Sequence, residues 1–291
     1  EFYNIFRDKH TNIHAKNQQK ISHRLNTSKE FIAYHSKFSI KTETYNQIFN
    51  TENKLINENK FHSGSYYRLF PILSVSTETP FKTTNNFFNL TYKPKFQFIV
   101  TPGMSNSNKL SNEESSNNSF TLNNIESLNR YSGNDKMDNS KRITYSLNAD
   151  NKNYSFNLSQ YYEFTKNSNF HIEQGNNNYL SDLLGSAKYE NINKVSYNFR
   201  YDVHDDYLKE QNANLSLTNK IGDISFSYLD QKSKSNNIIT TDTETLNYKL
   251  DSKKFLKFSK ITFAGLYDLK KEINTEYSVG YKYFDECFGI N

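Results

Sequence analysis

NFFNLTYKPKFQFIVT, residues 86–101, decides how this chain folds. Phe88, Leu90, Tyr92, Pro94, Phe96, Phe98 and Val100 fall on one side of a period-two pattern, with Asn89, Thr91, Lys93, Lys95 and Gln97 on the other. Strict alternation over such a length is the signature of a β-strand with two unlike faces. A central strand of a soluble sandwich would not hold lysines and glutamine along one whole face. A strand with one face in lipid and the other in water would.

The composition around it agrees. Mean hydropathy is −0.87 and 35% of residues are apolar or aromatic, so a conventional soluble core would be thin. Yet 15% are Tyr and Phe and there is no Trp. A polar chain rich in these rings fits a membrane β-barrel with aromatic girdles, an Asn-rich surface fibre or a disordered adhesin. The net charge of +5 is spread over 36 basic and 31 acidic residues without an arginine-rich block, which argues against nucleic-acid binding. No apolar run approaches the ~18–20 residues of a membrane helix. The chain opens on Glu rather than Met and shows no signal peptide. It therefore reads as a fragment or mature region of something longer.

Toward the N-terminus, residues 1–29 predict one strand and a loop, 30–45 a half-buried strand and 46–64 a polar loop. The stretch 66–81 predicts a strand despite Pro71, which barrel strands tolerate. KTTN (82–85) is expected to be a short turn. Toward the C-terminus a low-complexity stretch within 103–126 precedes a regular beat of strands. Ile143, Tyr145 and Leu147 alternate with Arg142, Thr144 and Ser146; Val195, Tyr197, Phe199 and Tyr201 alternate with Ser196, Asn198, Arg200 and Asp202. Further strands are expected near 154–159, 181–190, 211–218, 223–231, 240–250, 255–267 and 274–284. Tight turns at 150–152, 191–194, 219–222 and 251–254 alternate with mostly longer loops at 165–180, 205–210, 232–239 and 268–273. Short turns on one side and long loops on the other are how outer-membrane barrels are built. The expected fold is all-β, an antiparallel transmembrane β-barrel, with about twelve strands seen and more needed to complete a larger barrel. Were the 102–141 segment outside, the final strand would leave the C-terminus in the periplasm.

Residues 127–147, SLNRYSGNDKMDNSKRITYSL, carry a family resemblance. Asn129-Arg130-Tyr131-Ser132-Gly133-Asn134-Asp135-Lys136, then Asp138 and Arg142, resemble a stretch of LptD, the lipopolysaccharide-assembly outer-membrane protein family. Other stretches follow in the family's order: RLFP with TETPF (68–81), Pro94 to Pro102, Ser159 to Phe164, Ser181-Asp182-Leu183, and Tyr283 to Phe288. The likeness runs from about residue 65 to the end. It implies that residues 1–291 are the C-terminal portion of a barrel domain, without its periplasmic N-terminal domain and first strands. It also implies lipopolysaccharide transport through the barrel lumen into the outer leaflet, not catalysis. The implied partners are lipopolysaccharide, a plug lipoprotein (LptE-like) and a periplasmic bridge protein. No cofactor is implied. Tyr277, Val279, Tyr281 and Tyr283 would lie on the last strand, one lip of a lateral seam. The lone Cys287 is a free thiol or, as the resemblance implies, half of a disulfide to a missing N-terminal segment.

In the Arg130–Arg142 stretch, Gly133 suits a turn with positive φ. Arg130, Asp135 and Arg142 are candidates for ion pairs that pin the loop inside a wet lumen. Contact with lipopolysaccharide phosphates is the alternative. A passive porin and an Asn-rich adhesin stand as rival readings. His10 and His14 have metal-ligand spacing only on a helix, which their neighbours do not favour. His171 and His204 lack a nucleophile signature nearby.

Overall fold

The computed structural model describes residues 1–6, 17–57, 60–84, 89–104, 106–110, 112–116, 119–167, 170, 176–177, 179–235, 238–253, 259–284 and 289–290. Among them are eighteen strands and no helix. These are β1 (Phe2–Phe6), β2 (Asn17–Ala33), β3 (Ser36–Asn57), β4 (Lys60–Glu78), β5 (Phe81–Thr84), β6 (Asn89–Val100), β7 (Lys141–Asp150), β8 (Tyr154–Glu163), β9 (Asn176–Asn177) and β10 (Leu180–Ser181). There follow β11 (Leu183–Glu190), β12 (Lys194–Asp202), β13 (Tyr207–Thr218), β14 (Gly222–Ser235), β15 (Ile238–Ser252), β16 (Ser259–Asp268), β17 (Ile273–Phe284) and β18 (Gly289–Ile290). Thirteen of the eighteen have eight residues or more, so the five short pieces account for most of the excess over the dozen read from periodicity.

Two compact units are formed. The first comprises Glu1–Pro80, Pro94–Ser146 and Gln160–Ser181; the second comprises Phe81–Lys93, Leu147–Ser159 and Asp182–Asn291. In the first, β1 to β4 pair antiparallel in chain order and β4 continues onto β6. In the second, β11 to β18 form one antiparallel succession, and β11 also pairs with β8.

Several boundaries differ from the sequence reading. The strand expected over 30–45 is broken by a two-residue turn at Tyr34 and His35, both at positive φ (50° and 61°), between the paired Ala33 and Ser36. Hairpin turns of this kind usually take Asn or Gly, and neither is present to announce it. Residues 46–64, expected as a loop, belong largely to β3 and β4, with irregular register after Thr51. The expected loop at 232–239 is likewise occupied by β14 and β15. KTTN is not a turn: Phe81–Thr84 is β5, pairing with β6 from Phe81–Tyr92 to Thr84–Asn89. Phe88 and the other residues between these strands lie outside the described residues.

Within the first unit several strands bury polar side chains and expose apolar ones, the reverse of a soluble domain, although Tyr45, Phe49, Phe70, Ile72 and Ile99 are buried beside them. On β6 the apolar row Phe96 and Phe98 is exposed, whereas Gln97 and, just beyond the strand, Thr101 are buried. On β7 the buried row is Arg142, Thr144 and Ser146. On β4, Tyr67, Leu69, Leu73 and Val75 are exposed while Arg68 and Ser74 are buried. Among the described residues thirty polar or charged side chains are buried against fourteen apolar ones. Water-facing folds show the reverse preference; strands with lipid outside and polar groups inside show this one.

Candidate functional site: a polar strap over the buried face

Between β6 and β7 the chain leaves the sheet at Thr101 and returns at Ser140. The two ends are clipped together: the Thr101 amide donates to the Ser140 carbonyl (3.1 Å) and the Ser140 amide to Thr101 Oγ1 (2.9 Å). The excursion, here called the strap, lies on the buried face of the first unit. Its Leu128 and Met137 pack with Tyr45, Phe70, Ile72 and Ile99 of the strands. A loop this long whose described residues hold no helix or named strand is usually functional.

Near its base sits a fully buried charge cluster. Asp138 accepts from Arg130 Nε (2.5 Å), Arg130 Nη2 (3.2 Å), Arg142 Nη1 (3.0 Å) and Asn167 Nδ2 (3.1 Å). Glu163, on β8, accepts from Arg130 Nη2 (2.6 Å), Ser140 Oγ (2.8 Å) and Asn167 Nδ2 (3.1 Å). None of the four charged side chains has exposed surface. Two guanidiniums face two carboxylates, so the cluster is neutral and the cost of burying each charge is met by its neighbours. The rings of Tyr161, Phe120 and Phe170 lie 4.4, 4.8 and 5.0 Å from Arg130 Cζ and add cation–π attraction. Burial by itself would raise the Asp138 carboxyl, but Arg130 and then Arg142 overcome it and hold it below the usual carboxylate range. Burial opposes the Arg130 charge, and Asp138 more than restores it, leaving that guanidinium held above its ordinary value.

Asp135, which the sequence grouped with Arg130 and Arg142, sits in a second cluster. Lys20 of β2 is fully buried and pairs with Asp135 (2.9 Å), Glu114 and Glu1 (3.5 Å). Beside it the Asn134 carbonyl accepts from Gln47 Nε2 of β3 (2.9 Å) and Arg68 Nη2 of β4 (3.0 Å). Gly133 adopts φ of 71°, and a Cβ there would lie 2.5 Å from the Glu114 carbonyl oxygen. Ser132 Oγ is 2.6 Å from Ser116 Oγ in a short antiparallel bridge. Tyr131 stacks on Phe170 at 4.7 Å, and Lys136 Nζ lies 5.7 Å from the Tyr131 ring.

The second unit has its own buried charges. Lys209 of β13 bridges Asp182 (3.0 Å) and Asp202 (2.8 Å), while Arg200 reaches Glu210 (3.2 Å). Its strands also border a concavity of about 970 Å³ edged by small polar side chains such as Ser196, Asn214, Ser227 and Asn247. Tyr277, Val279, Tyr281 and Tyr283 lie on β17, the first three exposed. β17 is not the last strand of the chain: β18 pairs with it at Tyr283 and Phe284. Elsewhere β17 has, among the described residues, one ladder, to β16. Cys287 lies outside the described residues, as do His10, His14 and His171. The sequence holds one cysteine, so no disulfide forms within the chain. Lys20, Gln47, Phe120, Phe170 and Asn167 went unnoticed in the sequence, and Arg68 was legible only as the first residue of the RLFP stretch. Glu163 was legible only as the acidic residue of the Ser159–Phe164 stretch.

An all-antiparallel chain that buries its polar rows and exposes its apolar ones is a transmembrane β-barrel, here with a polar segment folded onto the inner face. The family model for LPS transport system D, LptD, matches residues 5–273, and the chain belongs to that family. No curated protein matches it significantly. Membership places the chain in the outer membrane, in the system that transports and assembles lipopolysaccharide there.

Proposed function

We propose that this chain passes lipopolysaccharide through a barrel lumen and releases it sideways into the outer leaflet, the seam lying along β17. The observation that carries this reading is the pairing of an inner face built of polar side chains with an outer face of exposed Phe, Tyr, Leu and Val. Saccharide keeps to the first and acyl chains to the second, provided a strand edge opens between them. β17 suits that role because its ladder partners on one side are confined to its C-terminal end among the described residues. An edge in lipid costs several kcal/mol per unpaired backbone group, so the opening must be brief or covered by cargo.

The Arg130–Asp138–Arg142 group serves on this reading to fix the strap rather than to grip phosphate, because every one of its charges is already matched. A plug lipoprotein in the lumen, a periplasmic bridge protein and a C-terminus on the periplasmic side complete the proposal. A freely open porin is disfavoured by the strap packed across the inner face of the first unit. Depleting the full-length protein and following lipopolysaccharide at the cell surface tests the reading. Loss of surface delivery is expected, and undiminished delivery would refute it.

A further inference from the structure

The strap is attached to the strands at two places of very different construction. At the base, four buried charges are cross-linked with Ser140 and Asn167 under three aromatic rings, and Met137 sits in the apolar cluster. At the second place, adjoining the base along the chain, a small knuckle is made of Glu113–Ser115 and Asn134–Lys136. It satisfies itself: the Glu113 and Glu114 amides donate to Asp135 Oδ2 (2.7 and 2.9 Å), and the Asp135 and Lys136 amides to Ser115 Oγ (2.8 and 3.0 Å). The Asn134 amide donates to Glu114 Oε1 (2.9 Å). Gly133 supplies the positive φ and the close approach to Glu114 that fold the two arms together.

Its ties to the strands include five polar ones. They are Lys20 to Asp135 and Glu114, Gln47 and Arg68 to the Asn134 carbonyl, and Tyr3 to Asp135 (3.5 Å). No knuckle residue belongs to the apolar cluster. Glu114 and the neighbouring Glu1 are partly exposed, so water reaches the edge of this contact.

We propose that the knuckle detaches from β2–β4 as a preformed unit, baring Lys20, Gln47 and Arg68, while the base of the strap at Met137–Ser140 stays locked. The internal hydrogen bonds move with the knuckle and are not broken; its departure parts one fully buried ion pair, Lys20–Asp135, whereas freeing the base would part three, Arg130–Asp138, Arg130–Glu163 and Arg142–Asp138. Because the ties are charged and partly wetted, raised ionic strength weakens them, while the base is screened little.

The test uses the purified full chain in detergent, without lipopolysaccharide, so that it stands or falls apart from the transport reading. Acetylation of Lys20 by a water-soluble active ester reports the knuckle contact, and peroxide oxidation of Met137 reports the base, both read by peptide mass spectrometry. Going from about 0.05 M to 1 M salt, or introducing Glu114→Gln, is expected to speed Lys20 acetylation about tenfold with Met137 oxidation unchanged. Asp138→Asn is expected to quicken both. Lys20 and Met137 responding in step to salt and to Glu114→Gln would overturn the proposal, since the strap would then move as one piece. A Lys20 inert under both conditions while exposed lysines react would overturn it equally.

Discussion

Replacing Arg130 by Met and Asp138 by Asn, singly and together, tests whether the base of the strap is held by charge balance. In the parent, two guanidiniums and two carboxylates cancel in a volume with no exposed charged surface. Arg130→Met leaves Arg142 against Asp138 and Glu163, a net charge of −1. Asp138→Asn leaves Arg130 and Arg142 against Glu163, a net charge of +1. Each single change strands a buried charge, which costs about 3–5 kcal/mol in such settings. Retained bonds from Asn167 and Ser140 put the expectation at the lower end. The double variant restores neutrality with Arg142 facing Glu163. Its cost should therefore fall short of the sum of the singles by about 2 kcal/mol or more. Protease cleavage after Lys109 or Lys136 in vesicle-inserted protein reads the opening. At about 1.4 kcal/mol per factor of ten, each single should speed cleavage about 100-fold. Arg130→Lys should lie between parent and Met, keeping the charge but losing the fork that spans Asp138 and Glu163. Additive costs, within about 0.5 kcal/mol, would refute charge balance as the cause.

Asp138 has a folded-state pKa below its unfolded one, so its contribution to strap stability is complete above the ordinary carboxylate range and is lost as pH falls through the depressed value. Strap cleavage by an acid-tolerant protease should therefore stay flat down to about pH 4 and rise only below it; a rise between about pH 6 and 5 would contradict the assignment. Gly133→Ala meets both a positive φ and the Glu114 backbone, whereas Gly103→Ala meets only a positive φ, with nothing within 4 Å. The first should cost about 2–3 kcal/mol and the second about 1, and equal costs in guanidinium unfolding would remove the close contact from the explanation. Phe98→Lys, on the exposed row of β6, should destabilise vesicle-inserted protein by about 2–4 kcal/mol while Phe98→Leu is nearly neutral. Equal tolerance of the two would mean that Phe98 does not face lipid.

What could be read in the sequence and what could not divide along one physical line. Period-two alternation exists where a strand has unlike surroundings on its two faces, so 89–100, 141–150 and 194–202 were legible as strands. Where both faces meet water the apolar row vanishes. TENKLIN within β3 and KSKS within β14 thus read as loop although their backbones stay largely paired. The turn at Tyr34–His35 was hidden for a related reason, because alternating residues on both sides of a two-residue hairpin imitate one uninterrupted strand. The strap shows the other limit. Arg130, Asp138 and Arg142 lie close in sequence, and a motif could flag them. Their partners Glu163 and Asn167 arrive from the end of β8 and from just beyond it, and Lys20 meets Asp135 from β2, so only the folded sheet brings them together. The same limit hid the partner of Asp135, which is Lys20 of β2 rather than either arginine of the motif. Gly133 turns Asp135 away from them, so that its carboxylate caps the Glu113 and Glu114 amides and meets Lys20. The near motif thus supplies two separate anchors, and the strands that receive them decide which charge goes to which.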